Sequence, residues 1–188
     1  MKENLKKIQK VESKERILNV ASRLFKKNGF SVTGIDQIME EAGLTAGAFY
    51  AHFKSKTDLL EQSIEHSFKL SRHLLFKDTE NLSGEEKIRT IMNRYVSAGH
   101  RDLPERGCLL PALASELHRG SNKSAEIISR YLNKWAELLA MNLEGDQSIS
   151  EKKKKSLQII SQAVGAILLS RIVKNTDLSD EIINSTRG

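Results

Sequence analysis

The stretch TGIDQIMEEAGLTAGAFYAHFKSK, Thr33 to Lys56, decides the fold. Ile35, Ile38, Met39 and Ala42 recur at spacings of three and four, the single apolar stripe of a short helix. Thr33 with Asp36 three residues on makes a capping-box-like start, and Gly43 closes the helix. Thr45 can cap a second helix, Ala46 to Phe53, whose inward positions are Phe49 and Phe53 behind the turn residue Leu44. Two short helices joined by a tight glycine turn make a helix-turn-helix. The second helix of such a pair presents its N-terminal end to base edges in the major groove, which demands small or polar side chains there. Thr45, Ala46, Gly47 and Ala48 meet that demand. Tyr50 and His52 follow with polar tips, and Lys54 and Lys56 flank Ser55, where a new helix starts and phosphate oxygens find donors.

Outward from this core the pattern stays helical. Ser13 to Asn28 sets Ile17, Leu18, Ala21, Leu24 and Phe25 on one stripe, with Lys26 and Lys27 in the last turn and Gly29 as the stop. Ser55 opens a long helix in which Leu59, Leu60, Ile64, Phe68 and Leu75 face a core, ending near the polar stretch 78–84. Further helices are expected at 84–100, 109–118, 122–143, 151–174 and 178–185, so the fold class is all-α. The junction near residue 54 divides the chain into a head, 1–54, and a body, 55–188.

Composition narrows the function. With 188 residues, 30 Lys and Arg against 24 Asp and Glu, a net charge of +6 and a basic excess concentrated in the first third, an acidic partner such as nucleic acid is favoured. One cysteine, Cys108, excludes an intrachain disulfide framework and a cysteine zinc site, and fits a reducing compartment, so the cytoplasm is the expected location. Neither a signal peptide nor a membrane span is expected, because no apolar run exceeds Ala163–Leu169. The five histidines, at 52, 66, 73, 100 and 118, show no zinc-binding spacing, and no phosphate-cradling glycine loop occurs. No third group orients His100 or His118 toward Cys108, so neither an enzyme nor a bound cofactor or metal is expected.

The string Gly29-Phe30, Thr33, Ile38, Ala42-Gly43-Leu44, Gly47, Phe49-Tyr50, His52-Phe53, Lys54-Ser55-Lys56, Leu59-Leu60 resembles the tetracycline-repressor (TetR) family over about residues 13–60. The resemblance implies a three-helix DNA-binding head on a helical body that dimerises and holds an inducer, with double-stranded operator DNA, a small-molecule effector and a second copy of the chain as partners. Carried over by position, Ala46, Gly47 and Tyr50 lie nearest base edges. Tyr50, His52 and Lys56 contact phosphates, and Thr33 helps dock the preceding helix. Ala46 stands where a long polar side chain is frequent, Ala51 replaces a common aromatic, and Gly34 takes the place of a Ser or Thr. Direct base hydrogen bonding is therefore thin, and thymine methyl contacts and DNA shape should matter more. The same departures leave open a second reading, a helical module of this fold that acts through protein contacts. Lys2, Lys6, Lys7 and Lys10 are expected either to form an arm that touches DNA or to be a solvated tail.

In the body, Arg106-Gly107-Cys108-Leu109 with Leu113 to Leu117 is similar to a segment frequent in the family. Cys108, near Arg106 and at a helix start, has features that lower a thiol pKa. An effector pocket beside the long fourth helix would draw on Phe68, Arg72, Met92, Tyr95, Cys108, Leu113, Trp135 and Leu139. The apolar helix Leu157 to Val173, with Gly165, Ala166, Ser161 and Ser170, resembles the family's dimerisation helix, with Ile182 and Ile183 in a short final partner.

Overall fold

The structure, a computed structural model, describes residues 2–187, with side chains from Asn4 onward; Met1, Gly188 and the side chain of Lys2 lie outside the described residues. These residues form ten α-helices and no strand: α1 Lys2–Asn28, α2 Ile35–Glu41, α3 Ala46–Phe49, α4 Lys56–Phe76, α5 Gly84–Tyr95, α6 Ala98–Asp102, α7 Leu109–Leu117, α8 Asn122–Ala140, α9 Ile149–Ile172 and α10 Asp177–Thr186. A short 3₁₀ turn, Pro104–Arg106, precedes α7. The all-α expectation holds.

Several local expectations are corrected. Lys6, Lys7 and Lys10 belong to no separate arm, because α1 runs unbroken from Lys2. Thr33 does not cap α2. The N-cap is Gly34, without a side-chain bond, and the Thr33 hydroxyl instead donates to the Gly29 carbonyl at 2.7 Å, closing the loop between α1 and α2. Gly29 sits at φ +97, a left-handed value that suits glycine. Thr45 occupies the N-cap of α3 but makes no side-chain cap bond, and α3 ends at Phe49, with the chain continuing in turns to Phe53. The expected helix at 84–100 is two helices, since the chain leaves helical geometry at Val96 and Ser97 caps a new turn through the His100 N–H. At α9, Ser148 and Glu151 form a complete capping box, which starts the helix ahead of its lysine run.

Two hydrophobic clusters hold the molecule. The first gathers Ile17, Ala21, Leu24 and Phe25 of α1, Ile38 and Met39 of α2, Phe49, Phe53, and Leu59, Ile64 and Phe68 of α4. Leu109, Leu113 and Leu117 of α7 belong to it as well. The helix-turn-helix is thus cored partly by body residues from beyond position 54. The second cluster packs Ile91, Met92 and Tyr95 of α5 with Cys108, Leu139 of α8, Ile160, Ala163 and Ile167 of α9, and Ile183 of α10.

Polar contacts join the two regions at defined points. Glu116 of α7 accepts from the backbone N–H groups of Phe30 and Ser31 at 2.8 and 2.7 Å and from the Ser31 hydroxyl. Lys26, buried in α1, donates to the Gly107 carbonyl at 3.0 Å just ahead of α7. A carboxylate that accepts three donors at once is held ionised. Burial of Glu116 opposes this, but the Ser31 hydroxyl, the Phe30 and Ser31 amides and nearby Lys56 outweigh it and draw its pKa down.

Candidate nucleic-acid interface and body cleft

Phe49 and Phe53, both buried with ring centroids 5.5 Å apart, anchor the recognition helix and turn its other face outward. That face exposes Thr45, Ala46, Gly47 and Ala51, with Ala48 half-buried. Tyr50 is 71% exposed, with its ring edge-on to Phe49 at 5.2 Å. A Cβ added at Gly47 meets nothing within 4 Å, so close approach of an outside surface, not crowding within the chain, would be what favours glycine here. The result is a shallow surface of small groups with one projecting phenol, a shape that admits a duplex groove.

The flanking polar residues divide. Lys54 is exposed, and its backbone N–H donates to Asp58 at 2.9 Å. Ser55 caps α4 by accepting from the Asp58 N–H. The Asp58 carboxylate therefore occupies part of this helix N-terminus and competes there with any phosphate. Lys56 is half-buried: its ammonium donates to the Ser31 carbonyl at 3.2 Å in an exposed bond and lies 4.5 Å from the Phe30 ring centroid. Thr33 is fully buried, and through its bond to the Gly29 carbonyl it braces the loop before α2.

His52 is also engaged internally. Ser13 donates its hydroxyl hydrogen to the Lys10 carbonyl, so the His52 Nε2 at 3.0 Å from Ser13 Oγ must be the protonated nitrogen. Nδ1 then carries a buried lone pair with no partner. Burial, and then Lys10 and Lys14, lower the His52 pKa and keep the ring neutral. Lys10 and Lys14 are thus neighbours of the recognition helix contributed by α1. Their spacing of four on one helix was the available signal, hidden because the helix was expected to begin only at Ser13.

In the body, a cleft of about 990 Å³ opens beside α4 and α8. Phe68, Arg72, Tyr95, Cys108 and Trp135 line it, as expected. Met92 and Leu139 do not, being spent in the second core cluster, and Leu113 packs in the first. These three expectations are corrected, because apolar periodicity marks a buried face without saying whether it meets a neighbour or a void. Tyr131, stacked on Phe68 with centroids 4.8 Å and planes 5° apart, and Phe76 also line the cleft and were not foreseen.

Cys108 does sit at the N-cap of α7, but as a buried residue, so the features that lower a thiol pKa do not prevail. Burial pushes its pKa up, outweighing the lowering by the Leu110 amide, Tyr95, Lys26 and Arg171. Its backbone N–H donates to His100 Nε2 at 2.8 Å, and His100 Nδ1 therefore donates to the Tyr95 carbonyl at 2.7 Å. Burial lowers the His100 pKa to about 4, so this neutral ring is a fixed strut. Arg171 of α9 donates to the His100 and Arg101 carbonyls, tying the strut to the longest body helix. Among the described residues no cluster of His, Cys, Asp or Glu could hold a metal, and no helix is long and apolar enough to cross a membrane.

Residues 17–62 match the family described as bacterial regulatory proteins, tetR family. The chain is 34% identical over 105 residues to the uncharacterised HTH-type transcriptional regulator YerO of Bacillus subtilis, an alignment spanning 56% of this chain and 36% of YerO. It is 28% identical over 162 residues to YxaF of the same organism, also named an uncharacterised HTH-type transcriptional regulator, spanning 85% of each. The reduced form of E. coli NemR superposes with a TM-score of 0.77 at 16% identity, over 94% of this chain and 95% of that one, a likeness of fold. With a helix-turn-helix cored by Phe49 and Phe53 on an all-helical body, residues 17–62 form a head that matches the tetR family of bacterial regulatory proteins, and the chain is similar along most of its length to an HTH-type transcriptional regulator.

Proposed function

We propose that the protein is an effector-released repressor that binds a palindromic operator as a homodimer, with residues 1–54 reading DNA and 55–188 forming the dimerising and effector-binding body. The observation that carries this reading is the exposed recognition face, small at Thr45 to Ala48 and armed with the exposed phenol of Tyr50. Lys54 supplies a free cation beside it, while Thr33, His52 and Lys56 position the surface from behind. Dimerisation is supported by an exposed stripe on α9, Leu157, Ser161, Leu168, Leu169 and Ile172, with half-buried Gly165 along it and Leu178 of α10 beside it. Acting on chromosomal DNA, the repressor works in the cytoplasm. The effector occupies the cleft and favours a DNA-incompetent arrangement, since only differential affinity shifts the equilibrium.

Fluorescence anisotropy of labelled duplex from the protein's own promoter, against a scrambled duplex at two salt concentrations, tests the reading. Tight binding of the promoter alone, with a dimer per site, is expected. Tyr50→Ala should change sequence preference, and Lys54→Ala should weaken all duplexes and flatten the salt slope by about one. Equal, weak binding to both duplexes overturns the reading in favour of a protein-contact module.

A further inference from the structure

We infer that the body cleft selects flat aromatic molecules bearing oxygen acceptors, neutral or anionic, and rejects aromatic cations. The inference rests on the reading of this cleft as the effector site and adds the chemistry of its ligand. The aromatic part follows from the lining, which holds the stacked Phe68 and Tyr131 pair and the tilted Tyr95 and Trp135 rings, 5.3 Å apart. Such surfaces favour a flat ring system over a flexible aliphatic chain.

The polar part follows from two donors. Tyr95 is 98% buried yet lines the cleft, and its hydroxyl, neighboured by the Cys108 thiol, forms no hydrogen bond of ordinary geometry. The Trp135 Nε1–H is likewise buried without a partner, and an indole can only donate. Burial raises the Tyr95 pKa far above its usual range, so the phenol stays protonated and able to donate. Buried polar groups are normally paired, and a carbonyl, phenolate or carboxylate oxygen is the partner both lack. An ammonium can donate to the Tyr95 oxygen but offers the indole N–H no acceptor. The rim leans the same way by one charge: Lys69, Arg72, Lys77 and Lys134 stand against Asp78, Glu80 and Glu137, with Lys69 paired to Glu65 at 3.8 Å and Glu137 to Lys153 at 3.6 Å.

Isothermal titration of the full chain with 2-naphthoate, 2-naphthol and 2-naphthylmethylammonium tests this. Both oxygen-bearing probes should bind, the ammonium at least tenfold more weakly. Tyr95→Phe removes the donor without removing the ring and should weaken both oxygen-bearing probes about tenfold while leaving the thermal melt in place. Arg72→Glu, on the exposed rim, should narrow the gap between naphthoate and the ammonium. An ammonium that binds as tightly as naphthoate, no binding by any probe, or affinity unmoved by both substitutions overturns the inference. Naphthoate binding that leaves promoter affinity unchanged supports the ligand class and counts against the effector reading, so the two fail separately.

Discussion

Glu116 ties the fold to pH. Its pKa is depressed in the folded chain, so its stabilising contribution is complete above the ordinary carboxylate value of about 4.3 and is lost as pH falls through the lower folded value. Glu116→Ala should cost about 1–3 kcal/mol in urea denaturation at neutral pH, by leaving the Phe30 and Ser31 amides without their acceptor. That gap from wild type should close in acid. His52 carries the opposite sign once DNA is present. Its pKa is lowered in the free protein by burial and by Lys10 and Lys14, and DNA phosphates that neutralise those two cations raise it, so promoter affinity should strengthen as pH falls through the histidine range. His52→Gln should flatten that dependence in anisotropy titrations. Of these two residues, His52 was legible as a site residue from its place in the motif. Glu116 was quoted only as part of a body segment, because its role depends on a contact 85 residues away in sequence.

At the level of elements, the recognition helix is a single turn that owes its existence to packing. Four residues cannot sustain a helix alone. Phe49→Ala should therefore cost about 3–5 kcal/mol and abolish promoter binding together with cooperative melting. Helix α9 behaves differently, since its exposed stripe adds nothing visible to the fold of one chain. Leu169→Arg should leave the melt of the monomer intact and convert a dimer to a monomer in light scattering coupled to size exclusion. Amphipathic periodicity placed α4, α8 and α9 to within a few residues. It missed where α1 begins, because a lysine-rich segment with exposed Leu5, Ile8 and Val11 shows no buried stripe. It also missed the break at Val96, since a helix that stops and restarts within two residues keeps its apolar spacing.

For the whole molecule, the helical class and the head motif could be read from residues close in sequence, whereas the cleft could not, because a void is defined by several helices at once. The same distinction governs stability. Leu109, Leu113 and Leu117 complete the hydrophobic cluster beneath the helix-turn-helix, and Lys26 and Glu116 fasten its two sides. A fragment comprising residues 1–54 should accordingly show no cooperative thermal transition by circular dichroism, while the full chain shows one. The practical seam of this protein therefore differs from the apparent one. Anyone grafting a foreign reading head onto this body by splicing at residue 54 would join two surfaces that never shaped one another, leaving Glu116 facing a loop without the amides it grips. The transplantable unit is discontinuous: the first three helices, the start of the fourth, and α7, which would have to travel with them as a keystone cut from the middle of the arch.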